Sequence, residues 1–326
     1  MSQRRIVFVR TDRLGETLLN LPAIHALRQA YPDAHLTLLI HPSLQELLAG
    51  HPDVSAVVAE PMVSGSWWRR AWHVGRLWRS WHPDLIMLSN PKKEYHVGAW
   101  LAGIPRRVGW NRKWGWLLTH RLQDRKRLGE RHEVEYNFDL LEALGISAIP
   151  EPIPWLPIDQ QAEDVISQLL GQVGVAVNSQ LVAVHPWTSN PRKQWPVERF
   201  RSLIRQVAQR AGVTPVVIGG QEEQARVAEL GNIGEGTEQV LNLVGRCSLR
   251  ELAALLRRVR ALVSNDSGPM HLAAAVGTPV IALFGTAEPG SHPRRWGPWG
   301  SGHTVIHKPL HEITVDEALQ ALRRYL

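Results

Sequence analysis

Two stretches of the chain carry residue types whose spacing could do chemistry. In VRTDRLGETLLNLPAI (9–24) an apolar strand runs into charge, then Gly15-Glu16, then a helix-like apolar pattern. Glycine turns between strand and helix commonly cradle phosphate, because a helix start offers free amides and a positive dipole end. A carboxylate there would repel a diphosphate. The turn therefore either binds nothing or does chemistry on something other than a nucleotide. The second stretch, ALVSNDSGPMHLAAAVGTPVIALFGTAEP (261–289), has the opposite character. Asp266 and Ser267 are both N-cap types, and Pro269 suits a first helical turn. Gly268 lets a ligand approach the backbone, and the helix start attracts an anion. His271 falls in the first turn, facing the same position. A well-capped helix in any α/β protein would carry the same signature.

Two further loops add candidates. HPWTSNPRKQWPVERF (185–200) leaves a strand through polar residues, so Thr188, Ser189 and Lys193 could clamp a phosphate. VVIGGQEEQARVAEL (216–230) sets Glu222 and Glu223 just after a strand, where one carboxylate could accept from ribose hydroxyls. The other would then belong to a solvated helix surface.

Positioning these residues requires strands that end at them. RIVFVR, HLTLLI, SAVVAE and PDLIMLSN read as short buried strands in the first half. LVAVHPW, TPVVIGG, VLNLVG, ALVSND and PVIALFG read so in the second. Helical patterns such as Glu16–Tyr31 and Trp67–Trp81 lie between them, and the alternation implies parallel sheets with right-handed crossovers. The proline-rich IPEPIPWLPIDQ (149–160) suits neither element and reads as a linker. The chain thus divides into two doubly wound α/β domains, 1–155 and 156–326, with a hinge near residue 155. The last helix is a candidate to pack back on the first domain. A ligand belongs at the strand carboxyl ends, in the cleft.

Composition narrows the class. Hydrophobic residues make up 44% and charged residues 21%, a folded balance. The single cysteine excludes an internal disulfide framework and fits a reducing compartment. No apolar run approaches membrane-spanning length, and the first apolar stretch is too short for a signal peptide, so a soluble, cytoplasmic protein is expected. A net charge of +7 favours acidic partners. Charge alone also admits nucleic acid, but no recognised nucleic-acid module appears.

HPWTSNPRKQWPVERF, the GG-x-E turn, NLVGRCSLRELAALLRRVRALVSNDSGPMHLAAAVGTPVIALFG and RRWGPWG, in this order, resemble glycosyltransferase family 9. That is the ADP-heptose:lipopolysaccharide heptosyltransferase family. RIVFVRTDRLGETLLNLPAIHALRQAYPDAHLTLL and EVEYNFDLLEALGI agree with its opening strand-loop-helix and its mid-chain helix. The resemblance implies a GT-B architecture, two Rossmann-like domains facing across a cleft, with the donor bound by the second and the acceptor by the first. It also implies an inverting transfer with no bound metal and no cofactor beyond the ADP-sugar donor. Asp266, Ser267, Gly268 and His271 would line the donor diphosphate and sugar. Lys193 would neutralise the leaving phosphates, Thr188 or Ser189 would hydrogen-bond them, and Glu222 would take the ribose. Glu16 stands where the family carries a catalytic aspartate, one methylene shorter. The resemblance makes it the base that would take the acceptor hydroxyl's proton, kept ionised by the helix start. On the acceptor side, SNPKKEYH (89–96) departs from the family's Asp-Leu-Gln.

The acceptor half concentrates Arg69, Arg70, Lys92, Lys93, Arg106, Arg107, Arg112 and Lys113, which suits an acidic glycolipid core. Gly15, Arg69, Arg70 and Lys92 are its candidate contacts. In SWWRRAWHVGRLWRSWHP (66–83), Trp67, Ala71, Val74, Trp78 and Trp81 form a stripe that should pack on the sheet. Trp68 and Trp72 lie off it and could meet the inner face of an anionic membrane. An alternative is a GT-B enzyme of other specificity: a UDP- or GDP-sugar transferase, or a nucleotide-sugar epimerase.

Overall fold

Runs of valine, leucine and isoleucine too short for helices form parallel strands buried on both faces, as crossover helices require. The computed structural model describes residues 3–147, 156–175, 179–231, 239–285 and 288–326; the expected hinge lies outside them. The chain separates into two units, Met1–Glu151 and Pro152–Leu326.

In the first unit the strands are β1 (Arg5–Arg10), β2 (His35–Ile40), β3 (Ala56–Ala59), β4 (Leu85–Leu88), β5 (Arg106–Trp110) and β6 (His120–Leu122). Their order is β3-β2-β1-β4-β5-β6, with every described pairing parallel. In the second unit they are β7 (Gln180–His185), β8 (Val213–Val217), β9 (Leu241–Asn242), β10 (Val259–Asn265), β11 (Val280–Phe284) and β12 (Thr304–His307). That order is β12-β11-β10-β7-β8-β9, again parallel. Both are doubly wound sheets whose strand order reverses beside the first strand, at β1/β4 and at β7/β10. Ligands gather outside the carboxyl ends at such points.

The helix Trp67–Trp81 buries Ala71, Val74, Gly75 and Trp78 against the first core. Its close neighbour is Lys93–Leu101: a Cβ on Gly98 would overlap the Val74 side chain at 2.6 Å, so glycine permits the approach. In the second unit the final helix, Val315–Leu322, seats Ala318, Leu319, Ala321 and Leu322 in that unit's own core. No helix among the described residues is long and apolar enough to cross a membrane.

The structure differs from the sequence reading in two ways. The expected helix from Glu16 to Tyr31 is two, Leu14–Leu18 and Leu21–Ala30. Pro22 breaks it, since proline cannot donate to the Leu18 carbonyl and crowds it. Strands β5, β6 and β12 are additional. RRVGW opens with two arginines, HRL is three residues, and TVIH pairs along one edge, so none shows a buried-strand pattern.

Candidate active site

At the β7/β10 reversal, the residues predicted to hold an anion converge. Asp266 follows β10 directly, and its carboxylate accepts from Lys193 Nζ at 2.5 Å. Burial pushes the Asp266 carboxyl up, and the Lys193 charge opposes that push. The ammonium expected to face phosphate alone is therefore already balanced by a buried acid. Ser267 occupies the cap position of the helix Gly268–Ala275, but its side chain makes no capping bond. Its Oγ lies instead 3.0 Å from His185 Nδ1 and 2.9 Å from Ser264 Oγ. The Ser267 side chain thus leaves the first turn uncapped, which is what an anion at this end would use. His271 is buried within that first turn.

Asn265, which the sequence reading passed over, fixes the loop that carries Thr188, Ser189 and Lys193. Its Nδ2 donates to the Pro186 carbonyl at 2.9 Å, and its Oδ1 accepts the Trp195 amide at 2.8 Å. One buried side chain thereby holds both ends of the loop to the end of β10. Trp195 is fully buried, packs edge-on against Phe200 and donates its indole N–H to the Ile313 carbonyl at 2.9 Å. Thr188 is buried and its Oγ1 accepts the Asn190 amide at 3.4 Å, whereas Ser189 is exposed.

The two glutamates after β8 separate cleanly. Glu223 Oε2 accepts the Gly220 amide at 2.9 Å and lies 3.1 Å from His185 Nε2. Burial opposes its ionisation, but the His185 contact and charge and the Gly220 amide prevail, holding its carboxyl below the usual range. Glu222 is exposed and folds back over Gly220, where a Cβ would collide with its carboxylate. It makes no hydrogen bond or ion pair among the described residues. Of the pair, Glu222 is the one with acceptor capacity to spare.

At the β1/β4 reversal, charge is arranged differently. Glu16 sits half-buried in the short helix Leu14–Leu18, after the end of β1. Its backbone is held firmly: Asn20 Nδ2 donates to the Glu16 carbonyl at 2.7 Å, and Asn20 Oδ1 accepts from Ser89 Oγ at 2.6 Å. Arg10 Nη1 lies 3.1 Å from that same Ser89 hydroxyl, and its Nε pairs with Asp12 at 3.2 Å. Asn137, from the mid-chain helix Glu133–Glu142, donates to the Leu19 carbonyl at 2.9 Å. Buried Lys126 meets Glu133 at 2.5 Å and Asn137 at 3.4 Å. The Glu16 carboxylate itself has no partner among the described residues. Asp12, its nearest acidic rival in sequence, is occupied by Arg10 and by Asn90 at 3.0 Å.

Of the candidate acceptor contacts, Gly15 is buried beside Glu16, and Lys92 joins a cluster at the same sheet end. Lys92 Nζ donates to Thr11 Oγ1 at 2.7 Å and lies 3.5 Å from Glu60, which also receives the Tyr95 hydroxyl. Burial and the Glu60 charge keep the Tyr95 phenol protonated well past its usual range. Arg70 pairs with Glu94 at 3.6 Å, and Arg69 is exposed; both open the helix that follows β3. Arg106 and Arg107 do not join them. They start β5, at the opposite end of the sheet, where Arg107 binds the Leu117 carbonyl at 2.9 Å.

Two units, each a parallel doubly wound sheet with a polar cluster at its reversal point, have the α/β fold of GT-B architecture. The model of glycosyltransferase family 9 (heptosyltransferase) matches residues 97–321, and the chain belongs to that family. It is a glycosyltransferase. It is 26% identical to the lipopolysaccharide heptosyltransferase 2 of Escherichia coli K12, over 99% of this chain and 98% of that one. In fold it is similar to the family 9 glycosyltransferase of Veillonella parvula, with a TM-score of 0.87 at 22% identity over 99% and 97% of the chains. It also resembles the E. coli heptosyltransferase WaaC solved with ADP, with a TM-score of 0.72 at 22% identity over 99% and 100%.

Proposed function

We propose that this chain transfers a heptose from ADP-heptose to the acidic inner core of a lipopolysaccharide, inverting the anomeric centre without a bound metal. The observation that carries this reading is the convergence of Lys193, Asp266, Ser267 and the uncapped helix start at the β7/β10 reversal. Fixed positive charge and aligned amides are what a departing diphosphate needs as its charge grows. Glu222 would accept from the ribose, with Thr188 or Ser189 on the phosphates. Glu16 would take the proton from the attacking acceptor hydroxyl. That oxygen then bonds to the anomeric carbon as the bond to the diphosphate breaks, and ADP leaves. Gly15, Arg69, Arg70 and Lys92 would face the acceptor's acidic groups.

Membrane contact belongs to the same proposal. Trp68 and Trp72 are 59% and 56% exposed on a helix with four arginines and no acidic residue. That combination suits peripheral contact with the inner leaflet, where an amphiphilic acceptor would lie. Nucleotide preference tests the reading: thermal shift with ADP, UDP, GDP and CDP should show saturable stabilisation by ADP above the rest. Preference for UDP or GDP would favour another nucleotide-sugar enzyme instead.

A further inference from the structure

Beneath the proposed donor site runs a hydrogen-bonded chain, Ser264–Ser267–His185–Glu223. His185 ends β7 and is almost wholly buried, with both ring nitrogens in use. Counting hydrogens fixes the roles. The Glu223 carboxylate can only accept, so His185 Nε2 must carry a hydrogen. In a neutral ring Nδ1 is then a bare lone pair, and it takes the Ser267 proton. Ser267 would turn its own lone pairs toward an arriving phosphate, an unfavourable approach. If the ring holds a second proton, Nδ1–H donates to Ser267 Oγ. The Ser267 hydroxyl is then released to donate either to Ser264 Oγ, whose own hydrogen goes to the Asn265 carbonyl, or outward to a phosphate.

We propose that His185 is a positioning residue for the donor diphosphate: nucleotide binding brings a proton from solvent to its Nδ1, which turns the Ser267 hydroxyl onto phosphate. The proton returns to solvent when ADP leaves. The inference rests on reading the second unit as the nucleotide site. The charged and titratable groups around the ring come from three elements. Glu223 and Arg226 lie on the segment after β8, and Arg226 acts on Glu223. Asp266, at the end of β10, is paired with Lys193 from the 186–196 loop. His271 lies in the helix that follows. Asp266 has Lys193 as its cation, and Arg226 is paired with Glu229 at 2.8 Å, so the ring itself is the ion-pair partner of Glu223. An added diphosphate is the further negative charge that draws a proton to it.

Calorimetry of ADP binding at pH 7.5, in buffers of different ionisation enthalpy, counts the protons taken up. ADP titrates too, so the informative quantity is wild type minus His185→Gln, which keeps a polar reach toward Glu223 but cannot titrate. Wild type should take up more protons, and its affinity should fall with rising pH more steeply, by up to about tenfold per unit. Equal uptake and equal slopes, with both proteins binding ADP, would overturn the proposal alone. Failure of wild type to bind ADP would remove the nucleotide reading and this inference together. Should the variant not fold, ¹⁵N spectra of the wild-type histidine rings decide. One ring passing from the Nε2–H tautomer to the doubly protonated form on adding ADP supports the proposal, and no ring changing protonation contradicts it.

Discussion

The two sheets share one strand order but spend their reversal points differently. At β1/β4 the acids are matched by cations, two of them buried: Arg10 with Asp12, Lys126 with Glu133, and half-buried Lys92 with Glu60. Among the described residues, the Glu16 carboxylate is left without a partner on a braced backbone. At β7/β10 hydroxyls, glycine and an uncapped helix start dominate, with one lysine-aspartate pair. Each point also has an asparagine that ties backbone in place, Asn20 in the first unit and Asn265 in the second. The same scaffold thus presents a carboxylate without a described partner in one unit and hydroxyls at a helix start in the other. The first suits proton abstraction, and the second suits holding a diphosphate.

If that division is right, the largest effect comes from the lone carboxylate. Glu16→Gln should lower turnover by roughly 10²–10⁴-fold while leaving ADP affinity unchanged, since the amide cannot take the proton. Glu16→Asp should be partly impaired because it shortens the reach. Wild-type turnover in Glu16→Gln would reduce Glu16 to a helix-start residue.

On the other side, Lys193→Ala should weaken ADP binding by about 1.5–3 kcal/mol, measured by calorimetry. The Lys193–Asp266 pair adds a consequence for stability. Removing the lysine leaves a buried carboxylate without its cation, so the variant should melt below wild type at neutral pH. The Asp266 carboxyl is raised in the folded state, so its ionisation costs stability as pH rises through that raised value. The deficit should therefore shrink as the solution is acidified, and Lys193→Ala/Asp266→Asn should melt above Lys193→Ala at neutral pH. A pH-independent deficit would show that the pair does not set it.

Asn265→Ala strips partners from the Trp195 amide and the Pro186 carbonyl. Urea unfolding should show a loss of about 1–3 kcal/mol, and ADP binding should weaken with the loosened loop. The smallest effect belongs to the surface. Changing Trp68 and Trp72 to serine should shift stability by no more than about 0.5 kcal/mol. The double variant should bind anionic vesicles less than wild type does, and salt should release wild type from them. Vesicle binding unchanged by the substitutions would separate those tryptophans from the membrane.

Much of this was legible in the sequence where burial writes a pattern. HLTLLI is β2 residue for residue, and Trp67–Trp81 is the helix its spacing predicts. The ends of β7 and β10 were legible too, because glycine, proline and capping residues punctuate them. What escaped were partnerships across long separations. Asn265 reads as one more polar residue before Asp266, and nothing local says that it holds both ends of a loop some seventy to eighty residues away. His185 and Glu223 likewise meet only through the sheet. The pairing of Lys193 with Asp266 escaped too, because the acid lies at another strand's end. Arg106 and Arg107 were counted in the acceptor half's positive charge along the chain, whereas the strand carries them to the sheet's far end.

The account's central claim is tested most directly by transfer itself. The protein would be mixed with a heptose-deficient lipopolysaccharide inner core and, in parallel, with ADP-heptose, ADP-glucose, a UDP-sugar and a GDP-sugar. Mass spectrometry would follow the acceptor, and ADP release the donor. The account predicts that the acceptor gains one heptose from ADP-heptose, with one ADP released per heptose added and Glu16→Gln nearly silent. An acceptor unchanged by ADP-heptose but modified from a UDP- or GDP-sugar would contradict it.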